Sequence, residues 1–236
     1  MDRRLLKELN IERRSRRAAM LLTDLSDGQG RLIREREPVE PVLSDMVAAA
    51  FRSGKSGTIE AGGKAWFLNV YVPPPRLVVV GAVHISQALA PMARLAGYDM
   101  EIIDPRTAFA TPERFADVAL HAEWPEDALK ARPLDAYAAV AALTHDPKID
   151  DFALKAALEA RCFYVGALGS RKTHAKRVER LVAMGVTAEA IGRIDAPIGV
   201  DIAASSPAEI AVAVLAQIIK AFRTRGAAGS AESEAA

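Results

Sequence analysis

Three consecutive prolines, Pro73, Pro74 and Pro75, separate two different patterns in this chain. Each proline fixes its own φ and lacks an amide proton, so the run cannot lie inside a helix or a central strand. Beyond it, short apolar runs alternate with stretches of helical period, the signature of a parallel sheet covered by helices. "RLVVVG" (76–81) reads as the first strand, and its helix follows His84. "DMEIID" (99–104) is the second strand. Residues Pro105 to Pro133 read as irregular, with a turn of helix near Pro112 to Phe115. "AYAAVAALTHD" and "CFYVGAL" carry further strands, followed by helices in "DDFALKAALEA" and "SRKTHAKRVERLVAMG".

Two helices carry particular marks. Pro91 lies well inside the first and should kink or restart it. The last opens with Ser206, Pro207 and Glu209, a capping box with proline at the first helical position. Behind them Ala211, Val214, Leu215, Ile218, Ile219 and Phe222 recur at helical spacing, a stripe expected to pack on the sheet.

Before the prolines the period is that of hairpins. "RAAMLLTDL" is a strand, "SDGQG" its turn and "RLIRE" its return. A helix over Pro41 to Arg52 precedes a second hairpin, "GTIEAGGKAWFLNVYV", turning at Gly62 and Gly63. The expected fold is α/β: a Rossmann-like parallel sheet with helices on both faces over 76–225, preceded by a small α+β domain over 1–72. Residues 73–75 are the linker, and the small polar tail 226–236 is expected to be disordered.

Composition narrows the function. A net charge of +1 argues against bulk electrostatic capture of nucleic acid or a membrane surface. The basic start, "MDRRLLKELNIERRSRRAAM", reads as an amphipathic helix with Leu5, Leu6 and Leu9 on one side. Its basic face is either solvated or docks an acidic partner. No apolar core of a secretory signal follows these charges, and no apolar run is long enough to span a bilayer, so a cytoplasmic location is expected. The single cysteine, Cys162, permits neither an internal disulfide nor a Cys cluster for zinc.

In an open parallel sheet, ligands bind beyond the carboxyl ends of the strands. The first strand ends at Gly81-Ala82-Val83-His84, where a G-x-G-x-x-G fingerprint is broken by Val83 and Ser86. Gly81 frees the turn, but without the second glycine a pyrophosphate cannot approach as closely as in a standard dinucleotide site. Asp104 stands where a ribose-binding acid belongs, and equally where a carboxylate caps the turn before Pro105. Arg106 could grip a phosphate bidentately or pair with Asp104. His145 closes the middle strand in "THD". In "GALGSRKTH", Gly166 and Gly169 permit positive φ, Ser170 can cap the helix, and Arg171 and Lys172 add charge at its positive end. A phosphate, carboxylate or oxyanion suits that loop; an ordinary cap with solvent-facing bases is the plain alternative. His84, His145 and His174 come from separate segments, so no metal site is expected from their spacing.

"VVVGAVHISQALAPMARLAGYDMEIIDPR", "ALTHDPKIDD", "FYVGALGSRKTHAKR" and "APIGVDIAASSPAEIAVAVLAQI" resemble, in this order, the C-terminal Rossmann-like domain of the XdhC/CoxI family. The resemblance covers most of residues 76 to 222. It implies an accessory factor for xanthine dehydrogenase and related molybdenum hydroxylases, a cofactor-binding chaperone more than a catalyst. The implied ligand is the molybdenum cofactor, as molybdopterin or its dinucleotide form, bound for sulfuration and insertion. The implied partners are the large hydroxylase subunit and a cysteine desulfurase, with a homodimer as the implied assembly. Within the family-like motifs, Gly81, His84, Asp104, Arg106, His145, Gly169, Ser170, Arg171 and Asp201 become candidate ligand contacts. Fuller family members also carry segments resembling G-S-x-P-R and S-x-G-G-C. Here only "EAGGKAW" echoes the second, without its cysteine, so a sulfur relay through that cysteine has no counterpart. Two other readings of the same sheet stand beside this one. One is an NAD(P)-dependent oxidoreductase, motivated by Gly81 and Asp104. The other is a non-catalytic partner-binding module that uses the fold as a scaffold.

Overall fold

The computed structural model describes residues 3–225, and the tail expected to be disordered lies outside them. The described chain divides into two units, one of the residues up to Pro73 together with those from Arg223, and one of Pro74–Phe222.

In the first unit, α1 (Arg3–Arg14) precedes the hairpin of β1 (Ala19–Asp24) and β2 (Gly30–Arg34); α2 (Pro41–Ser53) then leads to the hairpin of β3 (Gly57–Ala61) and β4 (Lys64–Tyr71). The strands form one antiparallel sheet in the order β2-β1-β4-β3. Gly62 and Gly63 both hold positive φ, +59° and +72°, as the tightest hairpin turn requires. Leu9 of α1 packs on Ala19, Leu21 and Leu32. Leu6, expected on that side, is exposed, because i and i+4 positions such as Leu5 and Leu9 share a face and Leu6 falls on its flank.

The second unit begins with β5 (Arg76–Val80), α3 (His84–Leu95) and β6 (Asp99–Ile103). Next come β7 (Ala119–His121), α4 (Pro125–Ala131), β8 (Ala138–Ala142), α5 (Pro147–Glu159) and β9 (Tyr164–Ala167). The chain closes with α6 (Arg171–Ala183), α7 (Ala188–Ile191), β10 (Ile194–Asp195) and α8 (Pro207–Thr224). The strands make a six-stranded, wholly parallel sheet in the order β10-β9-β8-β5-β6-β7. β5 is central, with Val80 beside both Ile103 and Ala142.

The near-continuous apolar strands are explained by burial on both faces. Leu77 and Val79 point into a core with Leu89 of α3 and Val214 and Ile218 of α8. Val78 and Val80 point the other way, against Ala128 of α4, Leu154 of α5 and Leu181 of α6.

Three details depart from the sequence reading. The stretch 105–133 is not wholly irregular, since it holds β7 and α4. β7 is a three-residue edge strand paired only with β6, too short to show a period. α4 does carry a mark, proline at its first position and Glu126 and Asp127 in its first turn. α3 runs through Pro91 without a break. In α8 the capping box is as expected: Glu209 N–H donates to the Ser206 hydroxyl at 3.2 Å, and Ser206 N–H to the Glu209 carboxylate at 2.9 Å. The stripe buries Ala211, Val214, Leu215, Ile218 and Phe222, while Ile219 lies on its exposed flank.

Candidate functional site

The carboxyl edge of the parallel sheet holds two distinct arrangements. At the ends of β5 and β6, Asp104 is fully buried and its oxygens are already engaged. They accept the Ala82 N–H at 2.8 Å, the Arg106 N–H at 3.0 Å, and the Arg106 guanidinium through Nε at 2.9 Å and Nη2 at 2.7 Å. Burial alone would raise this carboxyl, but the Arg106 side chain, with the Ala82 and Arg106 amides, holds it below the usual carboxylate range. Arg106 also lies over the Phe109 ring, 4.7 Å from its centroid. Of the readings open for this pair, the geometry is that of a structural bridge. A ribose hydroxyl would have to displace a bidentate guanidinium from Asp104.

Gly81 holds φ +124°, and a Cβ there would stand 3.0 Å from Thr144 Cγ2 and 3.3 Å from the Leu143 carbonyl carbon. The glycine therefore lets the ends of β5 and β8 close on each other. Ser86, at a lost glycine position, binds the Gly81 carbonyl oxygen through its hydroxyl. The opening turn of α3 is tied to its own loop, and His84 is exposed at its start.

One strand over, between the β8–α5 turn and α6, lies a cleft of about 380 Å³. His145 and Pro147 form one wall with Asp150 of α5; Lys172, Thr173, Lys176, Arg177 and Arg180 of α6 form the other. Local geometry builds both walls. The Asp146 carboxylate caps α5 by accepting the Lys148 N–H, and Pro147 occupies the first helical position. His145 itself sits at φ +62°, a region few non-glycine residues occupy. Gly169, at φ +130°, turns the chain so that Ser170 caps α6 by accepting the Thr173 N–H at 3.2 Å.

The electrostatics of the cleft are unbalanced. Arg177 is only 2 % exposed; its Nη2 donates to the Leu168 carbonyl at 2.9 Å, while Nε and Nη1 have no hydrogen-bond partner. Asp150 is 1 % exposed; its Oδ1 accepts the Thr144 hydroxyl at 2.7 Å, while Oδ2 has no partner. Burial pushes the Asp150 carboxyl up to about 6, against the Thr144 hydrogen bond and the charge of Arg177. Arg180 is held by Asp151 through two contacts, 2.5 and 3.1 Å. Lys172 and Lys176 are exposed at the rim. A buried cation with idle donors beside two lysines has the chemistry to hold an anion.

Of the residues singled out from sequence, His145 and Lys172 line this cleft, and Gly169 and Ser170 set the start of α6, which forms one of its walls. Arg171 is exposed at the start of α6 and is not among the lining residues. Asp201 is exposed and accepts the Ala203 N–H at 3.3 Å. Gly166 lies within β9 without positive φ; a Cβ there would meet the Tyr164 hydroxyl at 2.5 Å, so packing is its role. Sequence reasoning passed over Asp150, Lys176, Arg177 and Arg180. The i, i+4, i+8 spacing of Lys172, Lys176 and Arg180 was the signal available for this basic face.

Cys162 is completely buried, and burial pushes its thiol up to about 12, so it is a small core hydrophobe and no nucleophile. Among the described residues no three His, Cys, Asp or Glu side chains gather as metal ligands, and no helix is long and apolar enough to cross a membrane.

Residues 77–218 match the XdhC Rossmann domain family. The chain belongs to that family. Among relatives of this XdhC chain, the uncharacterized protein YqeB of Escherichia coli is 35% identical over 164 residues, 67% of this chain and 29% of that protein. The Escherichia coli molybdenum cofactor insertion chaperone PaoD is 32% identical over 157 residues, 65% of this chain and 43% of that protein. The XdhC chain thus spans less than half the length of either relative. The crystal structure of a xanthine dehydrogenase from Bacillus halodurans superposes with a TM-score of 0.62 at 23% identity, covering 94% of this chain and 65% of that one. That likeness is one of fold.

Proposed function

We propose that this chain is an accessory protein in the maturation of a molybdenum hydroxylase, holding the molybdenum cofactor at the carboxyl edge of its parallel sheet for delivery to the apoenzyme. The observation that carries the reading is the basic cleft with Arg177 buried and partly unpaired at its floor. Membership of the XdhC family and the likeness to a molybdenum cofactor insertion chaperone support it. The cofactor, as molybdopterin or its dinucleotide, carries anionic phosphate, the chemistry these donors suit. Arg177 would bind that phosphate, with Lys172 and Lys176 drawing it in from solvent. His145 would contact the ligand from the facing wall. Gly81, Asp104 and Arg106 would support the site by fixing the ends of β5 and β6 beside it.

A hydroxylase large subunit is the partner this reading requires. Because Cys162 is sealed in the core, sulfuration of the held cofactor would be the work of a partner such as a cysteine desulfurase, not of a thiol of this chain. The alternative as an NAD(P)-dependent oxidoreductase is opposed by Asp104, whose oxygens are spent on Arg106 and Ala82.

Mass spectrometry of small molecules co-purifying with the chain from molybdenum-replete cells tests the proposal. Molybdopterin or its nucleotide form is expected, and the Lys172→Ala/Lys176→Ala double variant should retain less of it. Folded protein that neither carries nor binds either form in titration refutes the reading.

A further inference from the structure

Arg177 poses a problem that the fold does not solve internally. A guanidinium this deeply buried usually faces a carboxylate, and Asp150 lines the same cleft. The two act on each other electrostatically, yet Asp150 spends Oδ1 on Thr144 and leaves Oδ2 without a partner. The idle donors and the idle acid oxygen therefore belong to two residues that line one cavity. An anion with several oxygens answers both. It accepts from Arg177 Nε or Nη1, and it accepts from Asp150 Oδ2 if that oxygen carries a proton. An ionised Oδ2 would repel it.

We propose that the cleft between the β8–α5 turn and α6 binds a dianionic phosphate group on Arg177, and that Asp150 takes up one proton from solvent as the group binds. The inference deepens the cofactor reading and rests on it for the identity of the phosphate's owner. Charge balance favours a dianion: Arg177, Lys172 and Lys176 supply the cations, whereas Arg180 is occupied by Asp151. The resting state of Asp150 is suited to the exchange, because burial has already brought its carboxyl up to about 6.

Several other groups bear on that proton. Arg177 and Arg180 face Asp150 from α6, and Arg106 acts on it from the turn after β6. Asp151 is its neighbour on α5 and opposes ionisation. His145 lines the same cleft. His174, one turn ahead on α6, is pulled down by burial and by Arg177.

The test uses the full chain and sulfate, a dianion that keeps its charge near neutral pH, with pyrophosphate as a second probe. Calorimetric titration in buffers of different ionisation enthalpy reads both affinity and protons taken up. Sulfate is expected to bind with proton uptake, its affinity falling about tenfold or more from pH 6 to pH 8 as Asp150 ionises in the free protein. Asp150→Asn should bind with a flat pH profile and no uptake through that site, while His145→Gln keeps the slope. Arg177→Gln should abolish binding; the exposed Lys176→Ala, which leaves the buried framework intact, should weaken it several-fold. No saturable binding of sulfate or pyrophosphate by the folded chain overturns the proposal, as does a slope that survives in Asp150→Asn. Displacement of bound sulfate by molybdopterin supports the ownership assigned above. Displacement by free nucleotides alone leaves the grip standing and refutes the cofactor reading.

Discussion

Removing the charge at position 150 is expected to stabilise this protein at neutral pH. The Asp150 carboxyl rises from an ordinary 3.8 to about 6 on folding, because burial outweighs Thr144 and Arg177. A folded-state pKa above the unfolded one means that the native chain binds the extra proton. Stability from this group is then fully present below about pH 4, declines as pH rises towards 6, and is lost above it. The shift is about two units at about 1.4 kcal/mol each, so ionised Asp150 costs the fold about 3 kcal/mol at pH 8. Asp150→Asn keeps the shape and an oxygen that accepts the Thr144 hydroxyl, but never ionises. Its melting temperature should exceed that of the wild type by about 6–12 °C at pH 8, at about 2–4 °C per kcal/mol for a protein of this size. The gap should close as pH falls to 4. Thermal unfolding followed by circular dichroism at pH 4, 6 and 8 measures it. A variant that is less stable than wild type at pH 8 would refute the reasoning, since it would mean that Asp150 is an ionised partner stabilising Arg177.

Two further outcomes follow from the neighbouring strand ends. Arg106→Ala leaves the fully buried Asp104 with only the backbone amides of residues 82 and 106 as partners and should cost about 3–5 kcal/mol in urea unfolding at neutral pH. That loss should shrink in acid, because the depressed Asp104 carboxyl contributes stability above its unfolded pKa and loses it as pH falls through the folded one. Gly81→Ala must adopt φ +124° with its methyl 3.0 Å from Thr144, and should lower the urea midpoint by an amount equivalent to about 1–3 kcal/mol.

The positions of the two basic groups show why the site was only partly readable. "GALGSRKTH" marked the start of α6 correctly, since glycine and serine act on their own backbone: Gly169 takes positive φ and Ser170 caps the helix. Arg171 and Lys172 are adjacent in sequence, yet only Lys172 lines the cleft, because successive helical residues point about 100° apart. Likewise Arg106 was legible either as a phosphate ligand or as a partner of Asp104. Local spacing permits both, and the structure holds its guanidinium on the buried Asp104 carboxylate.

Taken alone, the amino-acid order determines the hairpin unit before Pro73, the parallel sheet after it and the capping of α5, α6 and α8. Those features depend on φ preferences, on side-chain period and on hydrogen bonds within a few residues. The family-like motifs are equally local, since each is one strand end with its turn. Tertiary structure decided the rest. It brought Asp150 of α5 and Arg177 of α6 to the walls of one cleft, buried both, and left each with unpaired atoms. Burial and the meeting of distant charges depend on how helices pack over β8 and β9, which no window of sequence contains.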